Sequence, residues 1–125
     1  MIKKHVLITG GGTGIGRALA KRFAAKGWQV IIVGRRSELL QDVVGQYPDS
    51  IRAITADVGK YEDRPIITFQ VIEPLHLLVH NVAVLGPVGS LLDVSLEDWR
   101  SHIASNVEGP LFLTQELLPK LVESS

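Results

Sequence analysis

Eight residues, TGGGTGIG at positions 9–16, hold five of the chain's 12 glycines, between the apolar run Val6-Leu7-Ile8 and the sequence RALAKRFAAKG. A turn that needs positive φ is served by one or two glycines. The surplus points to a backbone that something else must approach closely. An apolar strand, a glycine loop and a helix together make a phosphate-binding arrangement, because the helix N-terminus offers unpaired N–H groups and the positive end of its dipole. Two nucleotide motifs compete for these residues. Gly11 to Gly16 has the glycine spacing of the loop G-x-x-x-x-G-K-[ST], but Arg17 and Ala18 occupy its Lys and Ser/Thr places. Without the hydroxyl there is no metal ligand, and kinase or NTPase chemistry is excluded. The strict dinucleotide spacing G-x-G-x-x-G also fails, and Gly10, Gly14 and Gly16 give G-x-x-x-G-x-G instead.

Other groups offer little acid–base chemistry. Glu97 and Asp98 are adjacent carboxylates in a first helical turn, where negative charge complements the dipole, so they read as structural. His80 and His102 are too few for a metal site and read as satisfying a strand end and a helix face. There is no cysteine for a disulfide or a thiolate site.

The elements that must position these residues alternate. His5–Thr9, Gln29–Val33, Ile51–Thr55 and Leu75–Val79 are short apolar runs that read as buried strands. Between them, Gly14–Lys26 carries Ile15, Ala18, Leu19 and Phe23 at helical spacing, with Gly27 as its stop. Ser37 caps a second helix that runs through Val44 and stops at Gly45. A weaker helix spans 59–73, with Pro65 tolerated only near its first turn. A loop around Gly86-Pro87 and Gly89 follows the fourth strand. Ser95 and Asp98 then open a last helix running to about Val122, kinked at Pro110. Strands apolar on both faces and alternating with helices imply an α/β fold, half of a doubly wound parallel sheet covered on two sides. TGGGTGIG, Gly34-Arg35, Asp57 and His80-Asn81 each follow a strand. They therefore converge on the carboxyl edge of the sheet, where such folds bind ligands.

These landmarks, in this order, resemble the short-chain dehydrogenase/reductase family over nearly the whole chain. Thr9-Gly10, Gly12, Thr13, Gly14, Ile15 and Gly16 correspond to its cofactor loop. Asp57-Val58 matches the acidic residue that contacts adenine in the family. Leu77-Leu78-Val79-His80-Asn81-Val82-Ala83 is similar to the fourth-strand motif that usually ends Asn-Asn-Ala-Gly, and Asn106-Val107-x-Gly109 to the asparagine motif of the long helix. The resemblance implies an incomplete Rossmann-like sheet of about four strands that binds a nicotinamide dinucleotide. Its cofactor contacts would be Thr9, Gly10, Gly12, Thr13, Gly14, Ile15, Gly16, Asp57, Val58, Asn81, Val82 and Ala83, together with Arg35 and Arg36. An NAD site usually places Asp or Glu at the end of the second strand. Here that place reads Gly34-Arg35-Arg36, which favours the 2′-phosphate of NADP(H), with Arg35 as the main contact. His80, Val82 and Ala83 depart from the family motif and add side-chain atoms near the ribose.

In the family a Tyr-x-x-x-Lys pair and a Ser move the proton while hydride passes to a carbonyl carbon. Four residues after Tyr47 stands Ile51, and four after Tyr61 stands Pro65, so neither tyrosine fits. Of the family's catalytic residues only Asn106 is present, expected to hold a water in a proton relay. The 125 residues therefore read as one dinucleotide-binding domain, the N-terminal half of a longer family fold. The expected function is an NADP(H)-dependent oxidoreductase acting on a carbonyl or alcohol, with this chain supplying the cofactor-binding part. The alternative is a non-catalytic nucleotide-binding or interaction module.

Charge and composition bound the partners. Residues 1–37 carry eight basic side chains and no acidic one, yet the net charge of the chain is zero. Lys21, Arg22 and Lys26 read as the solvated face of one helix. Without an aromatic stripe among the charges, nucleic acid is not expected. No apolar run has transmembrane length, and a cytoplasmic protein is expected. The open edge of the fourth strand, with Trp28 and Trp99 as core or subunit contacts, predicts a homo-oligomer or a partner chain covering that edge.

Overall fold

The computed structural model describes residues 3–82 and 91–121. Its frame is β1 (His5–Thr9), α1 (Gly14–Ala25), β2 (Gln29–Gly34), α2 (Ser37–Gln46), β3 (Ile51–Thr55), α3 (Arg64–Gln70), β4 (Leu77–Val79), α4 (Leu96–Ile103) and α5 (Gly109–Leu117). The four strands form one parallel sheet in the order β3-β2-β1-β4. The strand order reverses beside β1, so the glycine loop lies at the switch point where open α/β sheets bind ligands.

Alternation along the strands builds a core on each face. Leu7, Ile31, Val33 and Ile54 point to the side covered by α3 and α5, where they meet Ile67, Leu113 and Leu117. Val6, Ile8, Val30 and Ile32 point to the opposite side and meet Ala20 and Ala24 of α1 with Leu40 and Val43 of α2. All four strands thus bury both faces or lie against a covered one, as their unbroken apolar runs require.

Several boundaries differ from those expected. The third helix is confined to Arg64–Gln70, because a turn already satisfies the backbone before it. Asp57 Oδ1 accepts from Gly59 N–H at 2.9 Å, Asp63 Oδ2 accepts from Asp57 N–H at 2.8 Å, and Lys60 N–H donates to Asp57 O at 3.0 Å. Pro65 falls in the first turn, where its missing N–H is harmless. Pro74 keeps the residue before it out of the helical region and so limits the other end. In α2, Ser37 is already helical and Arg36 holds the cap position, while Gly45 lies inside a helix that continues to Gln46. Pro48 then restricts Tyr47, whose non-helical backbone ends the helix. Strand β4 begins at Leu77, later than expected, because Leu75 bonds away from β1, and His76 makes the first bond to it. Leu75 N–H donates to Lys120 O and His76 N–H to His5 O. Leu75 and Leu121 form a parallel bridge, which occupies the start of the otherwise open β4 edge.

The Ser95 cap is present, its Oγ accepting from Asp98 N–H at 3.0 Å. The last helix does not run unbroken. A π turn over Ala104–Glu108 separates α4 from α5, and Pro110 lies in the first turn of α5. Proline removes one helical N–H and crowds the carbonyl four residues earlier, which a π turn accommodates. The loop around Gly86-Pro87 and Gly89 lies outside the described residues.

Candidate functional site

A cavity of about 300 Å³ opens at the carboxyl edge of the sheet, over the ends of β1, β2 and β3. Gly10, Gly12 and Thr13 form one wall, Gly34, Arg35, Arg36 and Leu39 a second, and Ala56, Asp57 and Val58 a third. Asn81, Val82 and Ser105 close it. Nine predicted contacts therefore meet around one space: Gly10, Gly12, Thr13, Arg35, Arg36, Asp57, Val58, Asn81 and Val82. Thr9, Gly14, Ile15, Gly16 and Asn106 are not among its lining residues, and Ala83 lies outside the described residues.

The glycines divide by what surrounds them. A Cβ on Gly16 would stand 2.1 Å from Gly10 O and 2.5 Å from Asn81 Nδ2, and one on Gly11 would stand 2.5 Å from Ile32 Cβ. These two glycines let the loop pack on the protein itself. Gly10 takes φ +68° and Gly14 φ +53°, the left-handed region that side chains rarely enter. A Cβ on Gly14 would meet no atom of the described residues within 4 Å, so this glycine is required by its backbone angle and not by packing. Among the described residues no side chain caps α1, and its first turn holds no acidic residue. Its free N–H groups and dipole remain available to an anion.

Thr9 ties the far wall to β1. Its buried hydroxyl accepts from Asn81 N–H at 3.0 Å and from Val82 N–H at 3.3 Å, and donates to Val79 O at 3.4 Å. Asn81 Nδ2 donates to Gly10 O at 3.2 Å. Thr9 thus holds Asn81 and Val82 against the glycine loop and has no polar capacity left over. Val82 fits beside Gly10, its Cγ2 lying 3.3 Å from where a Cβ would be. On the third wall, Asp57 spends Oδ1 on Gly59 N–H, which leaves Oδ2 without a partner among the described residues. Arg35 and Arg36 are exposed at the rim, and neither carries an ion pair among the described residues.

Beyond the cavity, Asn106 lies in the π turn, with Nδ2 3.1 Å from His102 Nε2. An amide nitrogen only donates, so that ring nitrogen accepts. His80 Nε2 is 2.7 Å from Thr114 Oγ1, which gives its own proton to Pro110 O at 2.7 Å. Nε2 therefore carries the ring proton. Partial burial of the ring lowers the pKa of His80 below its ordinary 6.5. Both histidines brace helix and strand ends, and no group of three or more metal-ligating side chains occurs among the described residues.

Sequence reasoning brought Gly34 to this edge but missed Val33, Leu39, Leu40, Ala56 and Ser105 as lining residues. Ala56 adjoins a predicted residue at a strand end, so its position along the chain was signal enough. Ser105 comes from a distant helix, and only the π turn places it there.

Fold and site together define a Rossmann-like parallel α/β sheet with a cavity at its carboxyl edge. Residues 4–125 match the family model described as short chain dehydrogenase, and the chain belongs to that family. Sulfoacetaldehyde reductase 2 of Chromohalobacter salexigens is 32% identical over 95% of this chain and 49% of its own length. Serine 3-dehydrogenase of Agrobacterium fabrum is 31% identical over 94% of this chain and 49% of its own. Among solved structures, the 3-ketoacyl-(acyl-carrier-protein) reductase of Brucella melitensis, complexed with NADH, superposes with a TM-score of 0.87. It is 31% identical, over 94% of this chain and 50% of that one. The chain spans about half the length of the curated relatives it matches.

Proposed function

We propose that residues 1–125 form the cofactor-binding domain of an NADP(H)-dependent oxidoreductase that interconverts a carbonyl and an alcohol. The observation that carries the choice of NADP(H) is the pair Arg35 and Arg36 on the cavity rim just after β2, with no carboxylate before Glu38. A guanidinium pairs with a 2′-phosphate, whereas the 2′-hydroxyl of NAD calls for an acceptor. The loop wall of Gly10, Gly12 and Thr13 and the uncapped start of α1 suit the pyrophosphate, and Asp57 Oδ2 and the Val58 N–H suit the adenine. When bound, the nicotinamide supplies hydride exchange with the substrate carbon. Asn106, in its π turn, is the residue of this chain suited to hold a water on the proton path.

Replacing Arg35 by Ala tests the reading. NADPH binding should weaken about tenfold, the usual worth of a charge-assisted hydrogen bond at an exposed site, with NADH binding unchanged. Equal losses for both cofactors would contradict it.

The exposed apolar side chains of α3, α4 and α5 support association with a second copy. Phe69 is 86% exposed, Trp99 54% and Leu111 52%. Trp99 is therefore a surface residue, while Trp28 packs against Phe23 and His76.

A further inference from the structure

We propose that His76 is a proton-sensitive latch between β1 and β4, closed while its imidazole is neutral and opened when the ring takes up a proton. The latch lies at the amino-terminal edge of the sheet, where β1 begins, opposite the cavity. Two hydrogen bonds join His76 to the first residue of β1. His76 N–H donates to His5 O at 2.9 Å, and His5 N–H donates to His76 Nδ1 at 3.0 Å. Nδ1 accepts and is therefore bare, so the neutral ring carries its proton on Nε2. An imidazolium carries a proton on both nitrogens. Protonated His76 would turn an N–H toward the His5 N–H, and the second bond would be lost. Its contribution is thus present at neutral pH and lost as pH falls through the range in which imidazoles take up protons.

The surroundings offer nothing to steady a charged ring. His5 and His76 stack with centroids 6.1 Å apart and planes 17° apart, and Trp28 meets His76 edge-on at 6.4 Å. His5 Nδ1 is buried without a hydrogen-bond partner, so it neither gives a proton to the neighbouring ring nor takes one from it. The charged residues on the segments that meet here are Lys3, Lys4, Lys26 and Lys120, all positive, and Glu73, whose carboxylate is tied to Arg52 at 3.0 Å. Lys4 Nζ lies 5.7 Å from the centre of the Trp28 ring, and Lys120 O receives the Leu75 N–H. Among the described residues no carboxylate bonds to either ring. The latch matters to the cavity because the ladder it extends is short. Only Leu77, Leu78 and Val79 of β4 pair with β1, opposite Val6, Leu7 and Ile8, and His76 opposite His5 continues that register. At the other end of the same two strands, Thr9 holds the Asn81 and Val82 wall. Opening the latch therefore loosens that wall.

Amide hydrogen exchange, read residue by residue by NMR on the ligand-free chain, tests the latch in wild type and in His76→Asn. The Asn side-chain oxygen can accept from the same N–H and does not titrate. The pH is lowered from about 7.5 to about 5.5, the range in which histidine changes charge. Protection of the His5 and Asn81 amides, corrected for intrinsic exchange, should fall about fivefold in wild type, the worth of one hydrogen bond, and hold in the variant. His80, beside Asn81, titrates in both proteins, so its effect cancels. Equal falls in wild type and variant, or unchanged wild-type protection at either amide, would overturn the proposal. If the variant does not fold, the ring nitrogen chemical shifts of the wild type decide. A bare His76 Nδ1 that gains its proton as the His5 amide loses protection supports the latch, and an Nδ1 already protonated at neutral pH overturns it.

Discussion

The sharpest energetic consequence of the loop concerns Gly16. A Cβ there would lie 2.1 Å from Gly10 O and 2.5 Å from Asn81 Nδ2. Ordinary contacts begin near 3.4 Å, so the loop must withdraw from α1 by about 1 Å, and its carbonyl has no side-chain freedom with which to yield. Overpacking of this kind costs about 1–3 kcal/mol. Moving Gly10 also breaks its 3.2 Å bond from Asn81 Nδ2, which adds about 1 kcal/mol. Gly16→Ala should therefore destabilise by about 2–4 kcal/mol and lower the melting temperature by about 8–15 °C. Two other glycines calibrate the result. Gly14→Ala meets no atom within 4 Å but retains φ +53°, so only the left-handed penalty of about 1–2 kcal/mol applies. Gly45→Ala, with open space in the last turn of α2, should stabilise by about 0.5–1 kcal/mol. Urea unfolding of the three variants gives the order directly. If Gly16→Ala proved as stable as the wild type, or more stable than Gly14→Ala, the packing argument would be refuted.

Two further expectations concern the ends of the elements. Because burial lowers the pKa of His80, the unfolded chain binds its proton more readily. The contribution is fully present above pH 6.5 and is lost as pH falls through the lower folded value. Unfolding midpoints of wild type and His80→Asn should thus draw together between pH 7 and 5, and a constant difference would show that His80 carries no linkage. Replacing Trp99 and Phe69 by Glu should shift sedimentation toward a smaller species, since both side chains are exposed. A wild type already monomeric at tens of micromolar would remove the case for self-association.

The strands and their convergence were legible because both faces of the sheet are covered. Val30-Ile31-Ile32-Val33 reads as one apolar run, and its alternate residues enter opposite cores. The glycine loop was legible in place but only partly in purpose. Gly11 and Gly16 make room for Ile32 and Gly10, a demand of tertiary packing that no local pattern carries. The third helix was read too long because the side chains of Asp57 and Asp63 close a turn through contacts that helical periodicity does not register. Gly45 misled as a stop because Tyr47 and Pro48, two and three residues later, set the end of α2. Ser105 escaped notice because its approach to Asp57 depends on a π turn, and the spacing of residues 96–117 suggests an unbroken helix. At the β4 edge, pairing of Leu75 with Leu121 was hidden by a separation of 46 residues, too distant for a strand pattern to reveal.

The central claim is that this chain holds NADP(H) through Arg35 and Arg36. Calorimetric titration of the purified protein with NADPH and with NADH at low ionic strength tests it most directly, because exposed guanidinium contacts are screened by salt. NADPH should bind at least tenfold more tightly, with the difference shrinking as salt is added. Equal affinity, or tighter binding of NADH, would contradict the account.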